Sequence, residues 1–147
     1  MVKFHAFITG LPVITILILC CYELFRLTIK QDRSPTAATL VLGNFYLLGL
    51  IVSYLSGLIM FQTMPELSSE LVAQVEIHET RAKLTLLTAL PFVALFYQRL
   101  KLSPDKLSAR IYYLYLAALF FVLIMTLLTG QQGGALVFDY AVGVTKK

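Results

Sequence analysis

Long uncharged stretches are what most constrain this chain. A lipid-spanning helix needs about 20 consecutive, mostly apolar residues, and four segments meet or approach that length. They run from about Phe4 to Ile29, Ala38 to Met64, His78 to Gln98 and Ile111 to Leu128. Charge is gathered between them. Only 14% of the 147 residues are charged, 59% are hydrophobic, and the mean hydropathy is +0.81. A soluble domain carries about 25% charge, so the chain reads as a polytopic membrane protein. It is all-α: a single domain over residues 1–147, folded as a four-transmembrane-helix up-down bundle.

The third segment is the least apolar. Its uncharged part, Leu84 to Gln98, covers about 22 Å at 1.5 Å per residue. That is short of a hydrocarbon core about 30 Å thick, so its first turns must come from His78 to Lys83. Pro12 and Pro91 fall inside the first and third helices, where each removes a backbone hydrogen bond and favours a kink. Ser34-Pro35 and Ser103-Pro104-Asp105 read as short turns. Gly43, Gly49, Ser53, Ser56 and Gly57 stripe the second helix with small residues, which lets helices approach closely.

Four crossings put both termini on one side, together with the loop from Pro65 to Ile77. The two short loops on the other side hold Arg26, Lys30, Arg33, Arg99, Lys101, Lys106 and Arg110, the larger share of the twelve Lys and Arg. The positive-inside rule puts those loops in the cytoplasm and both termini outside, in the periplasm if the membrane is a bacterial inner membrane. The net charge of +4 follows from this loop placement. No basic-aromatic groove for nucleic acid is visible. Cys20 and Cys21 are adjacent inside an apolar run and read as packing residues, neither bridged nor lipidated. The N-terminus lacks the cleavage site of a signal peptide.

His5 and His78 are the two histidines. Each opens an apolar helix, and helix order brings both to the outer boundary. Two imidazoles at one depth in a four-helix bundle suit the two axial positions of a b-type heme. A single histidine there would more simply anchor the interface, so it is the pairing that carries the reading. Gly10 and Gly130 lie near that depth and would admit a flat macrocycle or a neighbouring helix. Arg81, one turn past His78, suits a heme propionate or a nearby glutamate or lipid phosphate.

The stretch from Glu66 to Glu79 reads as a short amphipathic helix along the outer surface. Its acidic face would dock a basic partner such as a periplasmic cytochrome, or simply be solvated. Glu23 and Arg26 read as a snorkelling pair. Gly130 to Gly134 reads as a turn that folds an apolar tail back over the bundle. No nucleophile triad, metalloprotease motif or nucleotide fingerprint is present, so the chain is not expected to be an enzyme alone.

The two ends resemble a bacterial family of small four-helix membrane proteins described only as predicted membrane proteins. Its members begin His-Pro-x-x-Val-His-Phe-Pro, carry a histidine at the start of the third helix, and end Gly-Gly-x-Leu-Val-Tyr followed by Gly-Val-Gly-Val. His5, Pro12, His78, Gly133, Gly134, Leu136, Val137, Val142, Gly143 and Val144 fit that pattern. Ala6, Thr9, Gly10, Leu11, Phe138 and Ala141 depart from it, and Gly10 stands where the family has its second histidine. Family members occur joined to or encoded near c-type cytochromes, so the resemblance implies electron transfer. The expectation is a cytochrome b-like protein with heme b between His5 and His78, embedded in membrane lipid beside a larger complex. The rival expectation is a cofactor-free accessory subunit of a respiratory or photosynthetic assembly.

Overall fold

The computed structural model describes residues 2–30, 33–62, 68–102 and 108–138. Every element among them is helical. Helix α1 covers Val2–Phe25 and continues as a π turn over Arg26–Lys30; α2 covers Ala37–Gln62, α3 Ser69–Lys101 and α4 Ala109–Phe138. Three starts carry a hydroxyl cap. Thr36 Oγ1 accepts from the Thr39 amide at 3.1 Å, Ser68 Oγ from Leu71 at 3.3 Å and Ser108 Oγ from Ile111 at 3.3 Å. Each supplies a partner for one of the four amides a helix start leaves free.

The spans Phe7–Lys30, Ala37–Gln62 and Ala109–Phe138 are long and apolar enough to cross a membrane. Large apolar side chains point outward along them and along α3: Phe45, Leu48, Leu87, Leu90 and Phe121 are all at least half exposed. In water such a surface would aggregate; in lipid it is solvated. The protein is membrane-embedded.

Two hairpins make the tightest contacts, α1 with α2 and α3 with α4. Both are antiparallel. His5 near the start of α1 meets Ser56 near the end of α2, and Glu23 meets Thr39 at the opposite ends. Thr85 of α3 meets Thr129 of α4, and Arg99 stacks over Tyr112 and Tyr115. Helices α1 and α3 lie across a diagonal, as do α2 and α4. Side chains bridge both diagonals: Glu23 to Arg99, and the Tyr46 hydroxyl to Thr126 Oγ1 at 3.0 Å. The small-residue stripe of α2 does what was expected of it. Gly43 lies against Phe96, Gly49 against Pro12 and Gly57 against His5.

Four expectations need correction. Residues from Ser69 onward are one continuous α3, with no separate surface helix. The expected sidedness holds there, with Leu71 and Val75 half-buried and Glu70 and Glu76 exposed; Glu66 and Leu67 lie outside the described residues. Gly130 to Gly134 is helix and not a turn, since α4 runs on to Phe138; the tail beyond Phe138 lies outside the described residues. The third segment begins well before His78. Glu23 and Arg26 do not snorkel: both are buried, and the partner of Glu23 is Arg99. Helical assignment passes through Pro12 and Pro91, because a proline deletes one hydrogen bond, which a packed neighbour can compensate.

The two hairpins share one burial pattern. An interval of 73 residues takes 5 to 78 and 26 to 99. The same interval pairs buried Pro12 with Thr85, Ile16 with Ala89, Leu19 with Phe92, Glu23 with Phe96 and Arg26 with Arg99. On the second helices it pairs buried Thr39 with Tyr112, Gly43 with Leu116, Tyr46 with Leu119, Gly49 with Val122 and Ser53 with Thr126. The two hairpins thus bury corresponding positions at one fixed interval.

Candidate functional site: paired histidines at one end of the bundle

His5 is held from α2. Its Nδ1 lies 2.8 Å from Ser56 Oγ, and Ser56 Oγ donates to the Ser53 carbonyl at 2.9 Å. The Ser53 carbonyl and the His5 ring thus share the one Ser56 hydroxyl, and when its proton goes to the carbonyl, His5 donates from Nδ1 and keeps the Nε2 lone pair. The Cε1 edge of the ring lies against Gly57, where an added Cβ would stand 3.1 Å from Cε1. The apolar span that begins in α1 starts at Phe7, so His5 stands just outside it. Burial pushes its imidazole below the ordinary histidine range, and the nearby charge of His78 adds to the effect. The neutral, ligand-competent form is therefore favoured near neutral pH.

His78 occupies the equivalent place in the second hairpin. Thr129 stands one interval past Ser56. The buried Nδ1 of His78 has no hydrogen-bond partner among the described residues. Gly133 lies against this ring, where a Cβ would stand 3.0 Å from Cε1. The interval slips by one turn here, since Gly57 corresponds to Gly130. Both imidazoles are half-buried, sit on diagonally opposed helices, and are close enough for the charge of one to act on the other.

The other expected site residues fall out differently. Nothing stands within 4 Å of a Cβ built on Gly10, and one built on Gly130 would touch only Val13. The glycines that abut the imidazoles are Gly57 and Gly133. Arg81 donates to Gln132 Oε1 at 3.2 Å and reaches toward the Leu128 carbonyl at 3.5 Å, and Gln132 in turn donates to Gln74 at 3.0 Å. This chain ties α3 to α4 beside His78. Glu79 pairs instead with Lys83 at 2.8 Å.

The opposite end holds a second polar cluster. Glu23 Oε1 accepts from Arg99 at 2.9 Å and from Thr39 Oγ1 at 2.8 Å. Arg99 also donates to the carbonyls of Arg33 and Ser34, and Arg26 donates to that of Ser34. The Arg99 guanidinium lies 4.9 Å from the Tyr112 ring centre and 4.6 Å from that of Tyr115. Two buried cations thus seal one loop onto the bundle, with one carboxylate between them.

Among the described residues, no group of three His, Cys, Asp or Glu converges as a bare metal ion would require. Two imidazoles alone do not complete an iron coordination shell; a porphyrin brings the other four donors. No family model, curated protein or solved structure matches this chain.

Proposed function

We propose that this protein is a small membrane cytochrome of the b type, with His5 and His78 as the residues that would hold one heme near the outer face. One observation carries the reading: equivalent positions of two diagonal helices each present a half-buried imidazole, and each imidazole lies against a glycine of its own hairpin. The residues present fit the group: His5 protonated at Nδ1 toward Ser56 keeps Nε2 for iron, and Gly57 and Gly133 let the two rings pack close to α2 and α4. A bound heme would supply a one-electron iron couple. The chain's part is to hold the two imidazoles at one depth, keep them neutral and surround them with apolar side chains that exclude water.

The same reading places α3 across the membrane as a fourth span, completing an up-down bundle in a bacterial inner membrane with both termini periplasmic. A single group near one face would relay electrons to a larger membrane complex or a periplasmic cytochrome, and would not carry them across the bilayer. Purified protein should show sharp reduced visible bands, with pigment that extracts into acid acetone, since no Cys-x-x-Cys-His is present. Replacing either histidine with alanine should abolish the low-spin spectrum. Colourless, folded protein from heme-replete cells would defeat the reading and favour a cofactor-free accessory subunit.

A further inference from the structure

We propose that Ser56 is a positioning residue that sets the tautomer of His5. The inference rests on the heme reading for its purpose and on geometry alone for its chemistry. Imidazole has two nitrogens, and a neutral ring can put its proton on either. Only the nitrogen left bare can bind iron. A hydroxyl facing Nδ1 does not by itself decide the matter, because it can donate or accept. Here a second acceptor competes for the hydroxyl proton. The Ser53 carbonyl lies 2.9 Å from Ser56 Oγ, and a proton given to it leaves the oxygen, 2.8 Å from Nδ1, free to accept from a protonated His5 Nδ1. The relay runs from the imidazole N–H through the hydroxyl to the α2 backbone. It selects the form with a bare Nε2 before any ligand arrives. Gly57, next in sequence, lets the ring lie close enough to use it.

In the second hairpin Thr129 stands one interval past Ser56, but its hydroxyl is engaged with Thr85 Oγ1 at 2.8 Å, and the buried Nδ1 of His78 has no hydrogen-bond partner among the described residues. The relay is therefore particular to His5. Metal-ligating histidines commonly depend on such a partner, and losing it costs about 10–100-fold in metal affinity.

The full-length protein in lipid nanodiscs, with nitrogen-15 histidine, provides the test. The chain has two histidines, so a His78→Gln variant assigns the signals. The ligand-free protein should show His5 protonated at Nδ1. Ser56→Ala should shift it toward the Nε2-protonated form, and Ser56→Thr should restore the original. Hemin titration of the same proteins should give binding about 10–100-fold weaker for Ser56→Ala, recovered by Ser56→Thr. A ligand-free His5 protonated at Nε2, or one unchanged by Ser56→Ala, overturns the proposal. So does wild-type hemin affinity in Ser56→Ala. Should the wild-type protein take up no hemin, the cytochrome reading fails while the nitrogen-15 result still decides the role of Ser56.

Discussion

Glutamine at position 23 is the sharpest perturbation of the bundle. Glu23 and Arg99 are both fully buried, with their nearest atoms 2.9 Å apart. Glu23→Gln keeps the side-chain volume and an oxygen for Arg99 and Thr39, and removes only the charge. Breaking a buried pair from one side costs about 3–5 kcal/mol, because the surviving charge stays desolvated. Arg99 has fallbacks in the carbonyls of Arg33 and Ser34 and the faces of Tyr112 and Tyr115. The expected loss is therefore near the lower bound, about 3 kcal/mol, or roughly a hundredfold in the unfolding equilibrium at 1.4 kcal/mol per tenfold. Arg99→Met should cost more. It strands a carboxylate whose remaining donor is Thr39, and Glu23 Oε2 already lacks a partner. Combining Glu23→Leu with Arg99→Met removes both charges at similar volume and should return stability above either single change. Detergent-titrated unfolding in mixed micelles, followed by circular dichroism, gives all three values. A loss under about 1 kcal/mol for Glu23→Gln, or a double variant as unstable as the sum of the singles, would refute the reasoning.

Two further outcomes follow from named atoms. Gly57→Ala and Gly133→Ala would each put a methyl about 3 Å from an imidazole carbon, so each should displace one ring and weaken hemin binding with little change in helix content, measured by titration and circular dichroism. On the proposed orientation, with the cationic short loops cytoplasmic, a C-terminal alkaline phosphatase fusion should be active and a green fluorescent protein fusion dark, and the reverse pattern would invert the orientation.

The helices were legible in the sequence because lipid immersion writes itself as uncharged length. Boundaries were less so. The start of α3 at Ser69 was hidden because its first turns carry Glu70, Glu76 and Glu79, which belong outside the hydrocarbon whatever their backbone does. The helical run through Gly130 to Gly134 was hidden because glycine signals a turn unless a neighbour packs on it, and Gly133 has His78 as that neighbour. The histidine pair was visible, but its glycines were sought by nearness in sequence. Gly57 and Gly133 are near only through the antiparallel hairpin. Glu23 and Arg26 sit three apart and looked like a local pair, since nothing in the spacing names Arg99 as the partner. The 73-residue interval could have named it. His5 with His78 and Arg26 with Arg99 both obey it, and together they mark the two ends of the bundle.

The interval also marks where the two hairpins agree and where they do not. The seam between α1 and α4 and the seam between α2 and α3 are equivalent under the interval. Ile16 in the first corresponds to Ala89 in the second, and Phe120 to Leu47. The second seam holds an apolar groove of about 290 Å³, lined by residues that include Leu47, Leu86, Ala89 and Val93. Seams face lipid separately, so they can diverge without harming one another. The ends cannot. Both histidines lie at one end, and both buried arginines fasten residues 33–34 at the other. At these ends the two hairpins carry the same residue. At the neighbouring position, Glu23 against Phe96, they differ: Glu23 takes Arg99 as its partner across the diagonal, while Phe96 packs on Gly43.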